Sequence, residues 1–373
     1  MAVDVRTVTG RRDLKAFVEL PFRLHSTSPQ WVPPLRLERY AFLSRRLNAF
    51  FSHGDAEYFL ARRGSRVVGR VTAQIDRTYN AFHQDATGMF GFLEFEDDPE
   101  VLRALLDAAA AWLRERGSDR MIGPMDFTIN DESGVLIEGF AREPMIKQPW
   151  HPPYYQARCE QAGLQKAMDL LMWELEIGDR ASIRPIIFDL AAEVGPKHGI
   201  TLRKMTRRGL RRDLERFAEV YNAAWSRNWG FSPYGKKDLD GYAQEMQLVF
   251  DRDWLMVAEQ GDETVGVAMT FPDINQVLRK MNGRLLPLGW WHFLNRRRIM
   301  DRVRVGFLGI KPEYQHTGVA AMMYVEHFEV AERTHRKWGE MGWILETNRA
   351  MNRGMAAMNG RVVKKYRIYE QAL

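Results

Sequence analysis

One stretch of the sequence decides the fold: Val303-Arg-Val-Gly-Phe-Leu-Gly-Ile-Lys-Pro-Glu-Tyr-Gln-His-Thr-Gly-Val-Ala-Ala-Met-Met-Tyr324. Its apolar start predicts a strand over 303–310, and its continuation from Gly318 to about Trp338 predicts a helix. At the junction of the two stands Gln315-x-x-Gly318-x-Ala320. Glycine lets backbone approach a ligand closely, and the free amides at a helix start attract anions. The junction therefore predicts a pyrophosphate site.

The order of elements around this stretch recurs in the first half of the chain. The strand at 303–310 follows a predicted hairpin at 254–270, and one more strand is predicted at Gly342–Glu346. In the first half, a hairpin at 58–76 precedes a strand at 89–95 and a helix at 99–116, with no obvious residue identity between the halves. Tandem copies of one α/β fold are the simplest explanation. We expect each copy to be a mixed, mainly antiparallel sheet flanked by helices.

The first half has no counterpart of the glycine-bearing loop. Its predicted third strand is followed by Glu96-Asp-Asp-Pro-Glu100, whose acids would repel a pyrophosphate. We therefore expect a degenerate first domain over 1–178, a linker over 179–198, and a binding domain over 199–373. In the first domain, Asn130-Asp-Glu132 and His151-Pro-Pro-Tyr-Tyr155 either form ordinary loops or help to shape an acceptor channel.

Composition excludes several classes of protein. The chain has 373 residues, of which 45% are hydrophobic and 27% charged, so a disordered chain, a fibre or a small disulfide scaffold is not expected. A single cysteine, Cys159, allows no intramolecular disulfide and no cysteine-based zinc site, and we expect no metal. We also expect neither an export signal nor a membrane-spanning segment, which places the protein in the cytoplasm or on the inner membrane surface.

The 303–324 segment resembles the acyl-CoA binding motif of the GCN5-related N-acetyltransferase (GNAT) superfamily. The stretch from Ile344 to Arg361, with Asn348 at the characteristic asparagine position, is similar to the second signature of that superfamily. The resemblance covers roughly residues 200–373. It implies that acyl-CoA is the co-substrate, bound through these residues: Leu308, Gly309 and Ile310 on the strand, Gln315, His316, Thr317, Gly318, Val319 and Ala320 in the loop and helix start, and Asn348.

The sequence departs from this family at the catalytic acid. Many members carry a tyrosine seven residues after the asparagine, and here that position is Met355. The acceptor ammonium must lose a proton before it attacks the thioester, so a carboxylate or imidazole within reach is still needed. Glu346 is the first candidate, although a surface acid is an equally good interpretation. The other candidates are Tyr366, Tyr369, His292 and His316.

An aromatic and basic insertion at about 275–300 indicates the environment of the enzyme. Eight cations and one anion fall between Arg279 and Arg304, so this region sums to +7 and the rest of the chain to −1, for a net charge of +6. Between the cations lies an apolar block that contains Trp290 and Trp291, a composition typical of a membrane-interface anchor. A core-packing helix pair with a solvated basic face is the alternative. Nucleic acid is a weaker third interpretation, because no nucleic-acid module is visible.

The aromatic residues upstream bear on the acceptor. Trp225, Trp229 and Phe231 lie where these transferases form the acceptor site, and they either line an apolar channel or fill core. The chain as a whole resembles the bacterial long-chain N-acyltransferases that include ceramide synthases. This resemblance implies acyl transfer from acyl-CoA to the amine of a lipid such as a sphingoid base, at an anionic membrane surface. The alternatives are a small-molecule or protein N-acetyltransferase and a non-catalytic acyl-CoA-binding protein.

Overall fold

The computed structural model describes residues 2–177 and 183–373, and it divides them into two compact units. The first unit runs through Leu170 and adds Leu278–Phe293 and Lys364–Leu373. The second unit comprises Leu171–Val277 and Leu294–Val363. The expected domain boundary at residues 178 and 179 lies outside the described residues. Each unit is built from stretches that are distant in sequence, which a local sequence pattern does not reveal.

Both units contain helices and strands. The strands are β1 Asp4–Thr7, β2 Gly54–Arg63, β3 Arg66–Asp76, β4 Thr87–Phe95, β5 Arg120–Gly123, β6 Val135–Glu138, β7 Gln165–Glu176, β8 Ile200–Lys204, β9 Leu255–Gln260, β10 Glu263–Pro272, β11 Arg302–Ile310, β12 Trp338–Leu345 and β13 Arg361–Ala372. The helices are α1 Arg11–Leu24, α2 Arg36–Phe42, α3 Arg77–His83, α4 Pro99–Arg114, α5 Tyr154–Gln161, α6 Pro185–His198, α7 Leu210–Trp225, α8 Lys236–Val249, α9 Asn275–Met281, α10 Gly289–Leu294, α11 Arg296–Ile299, α12 Val319–Arg333 and α13 Arg349–Ala357.

The sheets are mixed and mainly antiparallel. In the first unit the strand order is β1-β2-β3-β4-β5-β13, and β6 pairs with β13. In the second unit it is β7-β12-β11-β10-β9-β8. The β4–β5 and β11–β12 pairs are parallel, whereas β2–β3, β3–β4, β9–β10 and β10–β11 are antiparallel. The predicted fold class is confirmed.

The repeat is visible at the level of register. Gly69 of β3 pairs with Phe95 of β4, and Gly266 of β10 pairs with Ile310 of β11. With the strands matched in this way, the triplet Gly-Phe-Leu occupies residues 91–93 in one unit and 306–308 in the other. Both antiparallel pairs are also bulged within or beside this triplet. The two copies, which have no obvious residue identity elsewhere, thus share this triplet.

The predicted helix after Gly318 is too long. α12 ends at Arg333, and β12 begins at Trp338, four residues earlier than the predicted strand. The residues between them make tertiary bonds that a helix would break. Arg336 is buried and donates from Nε to the Met300 carbonyl at 3.1 Å and from Nη1 to Asp251 at 2.9 Å. β7 is a further strand that the sequence patterns do not predict.

Candidate functional site

A gap opens between two parallel strands of the second unit. The ladder between β11 and β12 joins Arg302–Val305 to Trp338–Met341, and no pair beyond Val305 joins these two strands within the described residues. β11 nevertheless stays paired with β10 as far as Ile310. The last five residues of β11 therefore have one edge that faces the gap.

A β-bulge at Gly306 sets which way the β11 side chains point. Val305 is opposite Thr270 and Phe307 is opposite Met269, so Gly306 is the extra residue. Without the bulge, alternation would place Val305 and Phe307 on one face. With it, Val305 and Leu308 line a cleft on one side of the strand, and Phe307 packs into an aromatic cluster on the other.

Two amides of β11 face the gap. The Lys311 amide donates to the Val265 carbonyl of the neighbouring strand at 2.9 Å. Because amides alternate in direction along a strand, the Gly309 amide points the same way as that of Lys311, and the Leu308 and Ile310 amides point into the gap. Of the three strand residues predicted to contact acyl-CoA, two thus present an N–H group there. Gly309 has a different role, because a Cβ there would lie 2.3 Å from the Trp225 ring.

The loop after β11 leads to an uncapped helix start. A 3-10 turn spans Pro312–Tyr314, and the Thr317 hydroxyl donates to the Tyr314 carbonyl at 2.7 Å. Gly318 is the N-cap of α12 in the left-handed conformation, with φ of 87°, and it supplies no capping side chain. The amides of Val319, Ala320 and residue 321 start the helix, where N–H groups have no intrahelical partner. The structure thus brings the predicted loop residues together at this helix start, with Gln315 and His316 exposed beside it. Such a helix start is suited to an anion, and the pyrophosphate site stays a prediction.

Other groups near this loop are already engaged. Burial opposes the charge of Lys311, but bonds of 2.5 Å to Glu219 and 3.1 Å to Glu263 outweigh it and raise its pKa above the ordinary value. The Asn348 side chain accepts from the Met351 amide at 3.1 Å and caps α13. Its predicted contact with acyl-CoA stays a prediction.

The cleft behind β11 is mostly apolar and small, with a cavity volume of about 30 Å³. It lies between the strands and α12, and its walls include Val303, Val305 and Leu308 of β11 and Tyr324, His327 and Phe328 of α12. Sequence analysis did not identify this cleft, because it depends on the bulge and on the separation of two strands.

His327 is a neutral residue in the wall of the cleft. Its Nδ1 lies 2.6 Å from the Met323 carbonyl, which can only accept, so Nδ1 carries the proton. Its Nε2 lies 2.7 Å from the Thr270 hydroxyl and accepts from it. Burial lowers the pKa of His327 to about 4, so the ring is neutral at pH 7. Both ring nitrogens are occupied, and His327 is therefore not an available base.

The predicted catalytic residues fall in different places. Glu346 is half-buried in the turn after β12, at the same sheet edge as the loop after β11, because the carboxyl ends of parallel strands share an edge. His316 is exposed in that loop. Tyr366 and Tyr369 belong to the first unit and are fully buried, and the Tyr366 hydroxyl lies 3.4 Å from Gln148 Oε1. This burial gives an acceptor amine no access to either phenol.

His292, the remaining catalytic candidate, lies elsewhere in the first unit. It belongs to the insertion and is half-buried. The structure therefore places Glu346 and His316 in the second unit, and His292, Tyr366 and Tyr369 in the first.

An aromatic cluster covers the other face of β11. The Phe307 ring centroid lies 4.9 Å from that of Phe217, 5.9 Å from Tyr221 and 6.4 Å from Trp225. Phe231, which was predicted for the acceptor site, packs on Tyr221 at 5.2 Å. Trp229 is half-buried nearby in sequence. Sequence analysis missed the following members of the cluster: Tyr234, Tyr242 and Phe307.

In the first unit the equivalent gap is filled by the chain itself. The Met125 amide donates to the Phe90 carbonyl at 2.8 Å, and the Phe92 amide donates to the Asp126 carboxyl at 2.7 Å. Burial, reinforced by Glu132, raises the pKa of Asp126 to about 8. The start of α4, the helix that follows β4, is capped by Asp98, whose Oδ1 accepts from the Glu100 amide at 2.9 Å. Neither the gap nor the helix start of this unit is open to a ligand.

The loops expected to shape an acceptor channel in the first unit contribute to its packing. His151 is buried, and Tyr155 is fully buried with its hydroxyl 2.8 Å from Glu94. Glu94 also lies 2.7 Å from Nε2 of buried His25. Burial opposes the charge of Glu94, but His25 and Arg70 outweigh it and lower its pKa to about 2. The loop interpretation therefore fits His151–Tyr155 better than a channel.

The insertion holds its apolar side chains outward. Residues 278–293 pack with the first unit, where the Arg36 amide donates to the Gly283 carbonyl at 3.3 Å. Leu286 and Leu288 are 72% and 69% exposed, and Trp291 is 56% exposed. The exposed set, called the apolar patch below, consists of Leu285, Leu286, Leu288, Trp290 and Trp291. These side chains do not fill a core.

Not all of the cations around the insertion face solvent. Arg302 and Arg304 are buried in β11, where Arg302 Nε donates to Asp273 at 2.7 Å and Arg304 bonds to the Gly342 carbonyl. Arg279 pairs with Glu143. Lys280 and Arg284 are exposed on the same unit as the apolar patch. The charge available to a partner is thus smaller than the sequence suggests.

The described residues contain neither a membrane-spanning helix nor a metal-binding group of side chains. Over 2–177 and 183–373, no helix combines the length and apolarity that crossing a bilayer requires. In the same ranges, no group of three or more His, Cys, Asp or Glu side chains is placed to hold a metal ion.

Two curated proteins are similar over the full length of the chain. Protein YghO of Escherichia coli (strain K12) is 33% identical in an alignment of 375 positions that covers 99% of this chain and 95% of YghO. The bacterial ceramide synthase of Caulobacter vibrioides (strain NA1000 / CB15N) is 33% identical in an alignment of 378 positions that covers 100% of this chain and 98% of that protein. No protein-family model matches the chain.

Solved structures share the fold at low sequence identity. A tandem GNAT protein from the clavulanic acid biosynthesis pathway aligns with a TM-score of 0.61 and 11% identity, covering 99% of this chain and 98% of that one. A GCN5-related N-acetyltransferase from Sphaerobacter thermophilus aligns with a TM-score of 0.55 and 12% identity, covering 99% and 95%. Both are similar to the whole chain rather than to one half of it.

Proposed function

Because the chain belongs to the tandem GNAT-type family that includes the bacterial ceramide synthase of Caulobacter vibrioides, we propose that it transfers a long-chain acyl group from acyl-CoA to the amine of a lipid such as a sphingoid base. The observation that carries the proposal is the gap beside Gly306, which ends at the uncapped helix start at Gly318. The second unit is the catalytic domain in this proposal, and the first unit is a degenerate copy that binds no CoA.

The geometry suits thioester chemistry. The amides at the start of α12 would hold the CoA pyrophosphate, and the Leu308 and Ile310 amides would polarise the thioester carbonyl in the gap. The acceptor amine attacks that carbonyl, so a C–N bond forms and the C–S bond breaks. The thiolate of CoA leaves and takes up a proton. No cysteine nucleophile is needed, since Cys159 is buried in the first unit.

Glu346 is the base that we propose. An ammonium cannot attack until it loses a proton, and Glu346 is an acid at the edge where both parallel strands end. Its carboxylate would accept that proton directly or through one water molecule. The burial of Tyr366 argues for a packing role for that side chain, and His292 lies in the insertion of the first unit.

Two apolar features favour a lipid acceptor: the aromatic cluster around Phe307 and the apolar patch of the insertion. The aromatic cluster around Phe307 lies beside the gap, and its rings would contact an alkyl chain that carries the reacting amine. The apolar patch, with exposed Lys280 and Arg284, has the composition of an interfacial anchor on an anionic leaflet. We propose that the apolar patch inserts into the anionic membrane surface and that the enzyme acts there.

Replacing Trp290 and Trp291 by alanine tests the anchor. We expect flotation with vesicles of phosphatidylcholine and phosphatidylglycerol to weaken at least about tenfold, because burial of each large side chain contributes roughly 1.5–3 kcal/mol. The matched control replaces Leu47 and Phe82, two exposed apolar residues outside the insertion, and should float like the wild type. A wild-type protein that stays unbound, or a double tryptophan variant that floats normally, contradicts the anchor.

The reaction itself is tested with two substrate mixtures. Wild-type protein is incubated with palmitoyl-CoA and sphinganine, and separately with acetyl-CoA and polyamines, and products are identified by mass spectrometry. An N-palmitoyl product from the first mixture alone is the expected result. Product only from the second mixture would indicate a small-molecule N-acetyltransferase. Binding of palmitoyl-CoA without any product would indicate a non-catalytic acyl-CoA-binding protein.

A further inference from the structure

We propose that a basic patch on the second unit binds the phosphates of anionic phospholipids, at the end of the sheet opposite the predicted pyrophosphate loop. The basic patch consists of five arginines: Arg207, Arg208, Arg296, Arg297 and Arg298. The inference deepens the proposed function, because it gives the catalytic unit a membrane contact of its own in addition to the apolar patch of the first unit. It rests on that function in one respect, since a lipid acceptor is the reason for the contact.

Two segments that are distant in sequence bring these arginines together. Arg207 and Arg208 follow β8, whereas the other three lie on α11, which precedes β11. β8 and β10 run in one direction and β9 and β11 in the other, so β8 ends at the end of the sheet where β11 begins. Burial, with the charges of Arg297 and Arg207, lowers the pKa of Arg296 below its ordinary value. The two segments are therefore close enough for their charges to repel.

Neighbouring acids do not neutralise the basic patch. Arg296 is half-buried and the other four arginines are exposed, and within 2–177 and 183–373 none of those four pairs with a carboxylate. Asp213, the next acid after the β8 segment, accepts from Arg203 at 2.7 Å. Asp301, the first acid after α11, accepts from Gln276 at 2.6 Å. Such a set of arginines favours an anionic ligand, and guanidinium groups bind phosphate through paired hydrogen bonds.

The position of the basic patch excludes the donor diphosphate as its ligand. The predicted pyrophosphate loop follows the last residue of β11, whereas α11 precedes the first. β11 has nine residues, so at about 3.3 Å per residue its two ends are roughly 25–30 Å apart. A diphosphate held at Gly318 is therefore too far away to contact the basic patch.

An exposed apolar side chain next to the arginines favours a membrane over a nucleic acid. Leu294, two residues before Arg296 and in the same unit, is 63% exposed. It ends α10, the helix that also carries Trp290 and Trp291. Apolar and aromatic side chains followed by arginines have the composition of a membrane interface. The phosphate backbone of a nucleic acid offers no apolar partner for the leucine.

α8 joins the basic patch to the aromatic cluster around Phe307. The Arg207 guanidinium carbon lies 5.2 Å from the centroid of the Phe250 ring, at the carboxyl end of α8. Tyr242, two turns earlier on this helix, has its ring centroid 6.3 Å from that of Phe307. The basic patch thus borders the same helix as the cluster that contacts the alkyl chain of the acceptor in the proposed function.

Vesicle flotation tests the basic patch. Wild-type protein should bind vesicles of phosphatidylcholine and phosphatidylglycerol, and the binding should weaken as salt is added. A patch variant replaces the four exposed arginines by glutamine: Arg207→Gln, Arg208→Gln, Arg297→Gln and Arg298→Gln. It should bind at least about 30-fold more weakly and with a shallower salt dependence, because each arginine near an anionic leaflet strengthens binding about fivefold.

Two further variants control for folding and for net charge. Lysine at the same four positions keeps the charge and should bind within about threefold of the wild type. Glutamine at four exposed arginines of the first unit makes the same change in net charge and should also stay within about threefold: Arg11, Arg12, Arg103 and Arg114.

Three outcomes would overturn the basic patch. The first is flotation of the patch variant equal to that of the first-unit control. The second is wild-type binding that is as tight with phosphatidylcholine alone. The third is a patch variant that floats normally but loses affinity for a single-stranded RNA oligonucleotide, which would assign the arginines to a nucleic acid instead.

Failure of this inference differs from failure of the proposed function. Flotation needs no substrate, so it gives an answer even if no N-palmitoyl product forms. In neutral detergent micelles, which have no anionic leaflet, the patch variant should turn over palmitoyl-CoA and sphinganine like the wild type. An active patch variant that floats normally would reject the basic patch alone, and a wild-type protein that floats without turnover would reject the acyl transfer alone.

Discussion

Gly318→Glu is expected to lower kcat/KM for palmitoyl-CoA by at least about 100-fold. A glutamate at this N-cap adds a negative charge beside the first-turn amides of α12 and would repel the diphosphate that we propose they bind. Its Cβ would also lie 3.2 Å from Val194 of α6. Hydrogen bonds to a charged group contribute about 1.5–3 kcal/mol each, so the loss of two corresponds to roughly 3–6 kcal/mol. The effect should appear mainly in the affinity for CoA, which calorimetry measures directly.

The control for Gly318→Glu must carry the same backbone strain. Gly261, in the turn between β9 and β10, also has a positive φ, of 58°, and a Cβ there meets nothing within 4 Å. Gly261→Glu therefore introduces the left-handed strain of about 1–2 kcal/mol without touching the anion site. We expect it to keep CoA affinity within about twofold and to lower the thermal midpoint. Equal CoA affinity in the two variants would disprove the pyrophosphate site.

Glu346→Gln is expected to lower kcat by about 10²–10⁴-fold, the usual contribution of a positioned general base. The amide keeps the size of the side chain but cannot take the proton of the acceptor ammonium. The KM for acyl-CoA should change little, because the donor is held by backbone amides on β11 and α12. Steady-state kinetics with sphinganine as the acceptor measures both constants.

Glu329→Gln is the control for the base, since Glu329 is an exposed acid on α12. It should retain wild-type kcat. A Glu346→Gln variant within about threefold of the wild type would show that the proton leaves by another route. His316 is then the next residue to replace, because it is exposed in the loop after β11. Tyr366 is not a candidate for the base, because its phenol is fully buried in the first unit.

Local patterns predicted the strand, loop and helix from Val303 onward, because each of their signals lies within a few residues. Gly318 was predicted to let the backbone approach a ligand closely, and the structure places it in the left-handed conformation at the start of α12. The end of α12 was not predictable in this way. Arg336 leaves the helical path to bond to Met300 and Asp251, residues that are 36 and 85 positions away.

The rest of the candidate site depends on pairings between distant strands. The bulge at Gly306 and the cleft exist because β10 and β12 pair with different lengths of β11. The filled gap of the first unit depends on Met125 and Asp126, which carry no motif. The triplet Gly-Phe-Leu at 91–93 and 306–308 was a usable signal, and aligning the two halves on it would have located the bulge from sequence.

β13 supplies the sheet of the first unit with residues that follow the second unit in sequence. Tyr369–Ala372 of β13 pair with β5, so this sheet includes a strand from beyond position 360. A gene fragment cut near residue 178 would separate β5 from this partner and leave the sheet of the first unit one strand short. The duplicated halves thus depend on each other within one continuous chain and are not two exchangeable modules.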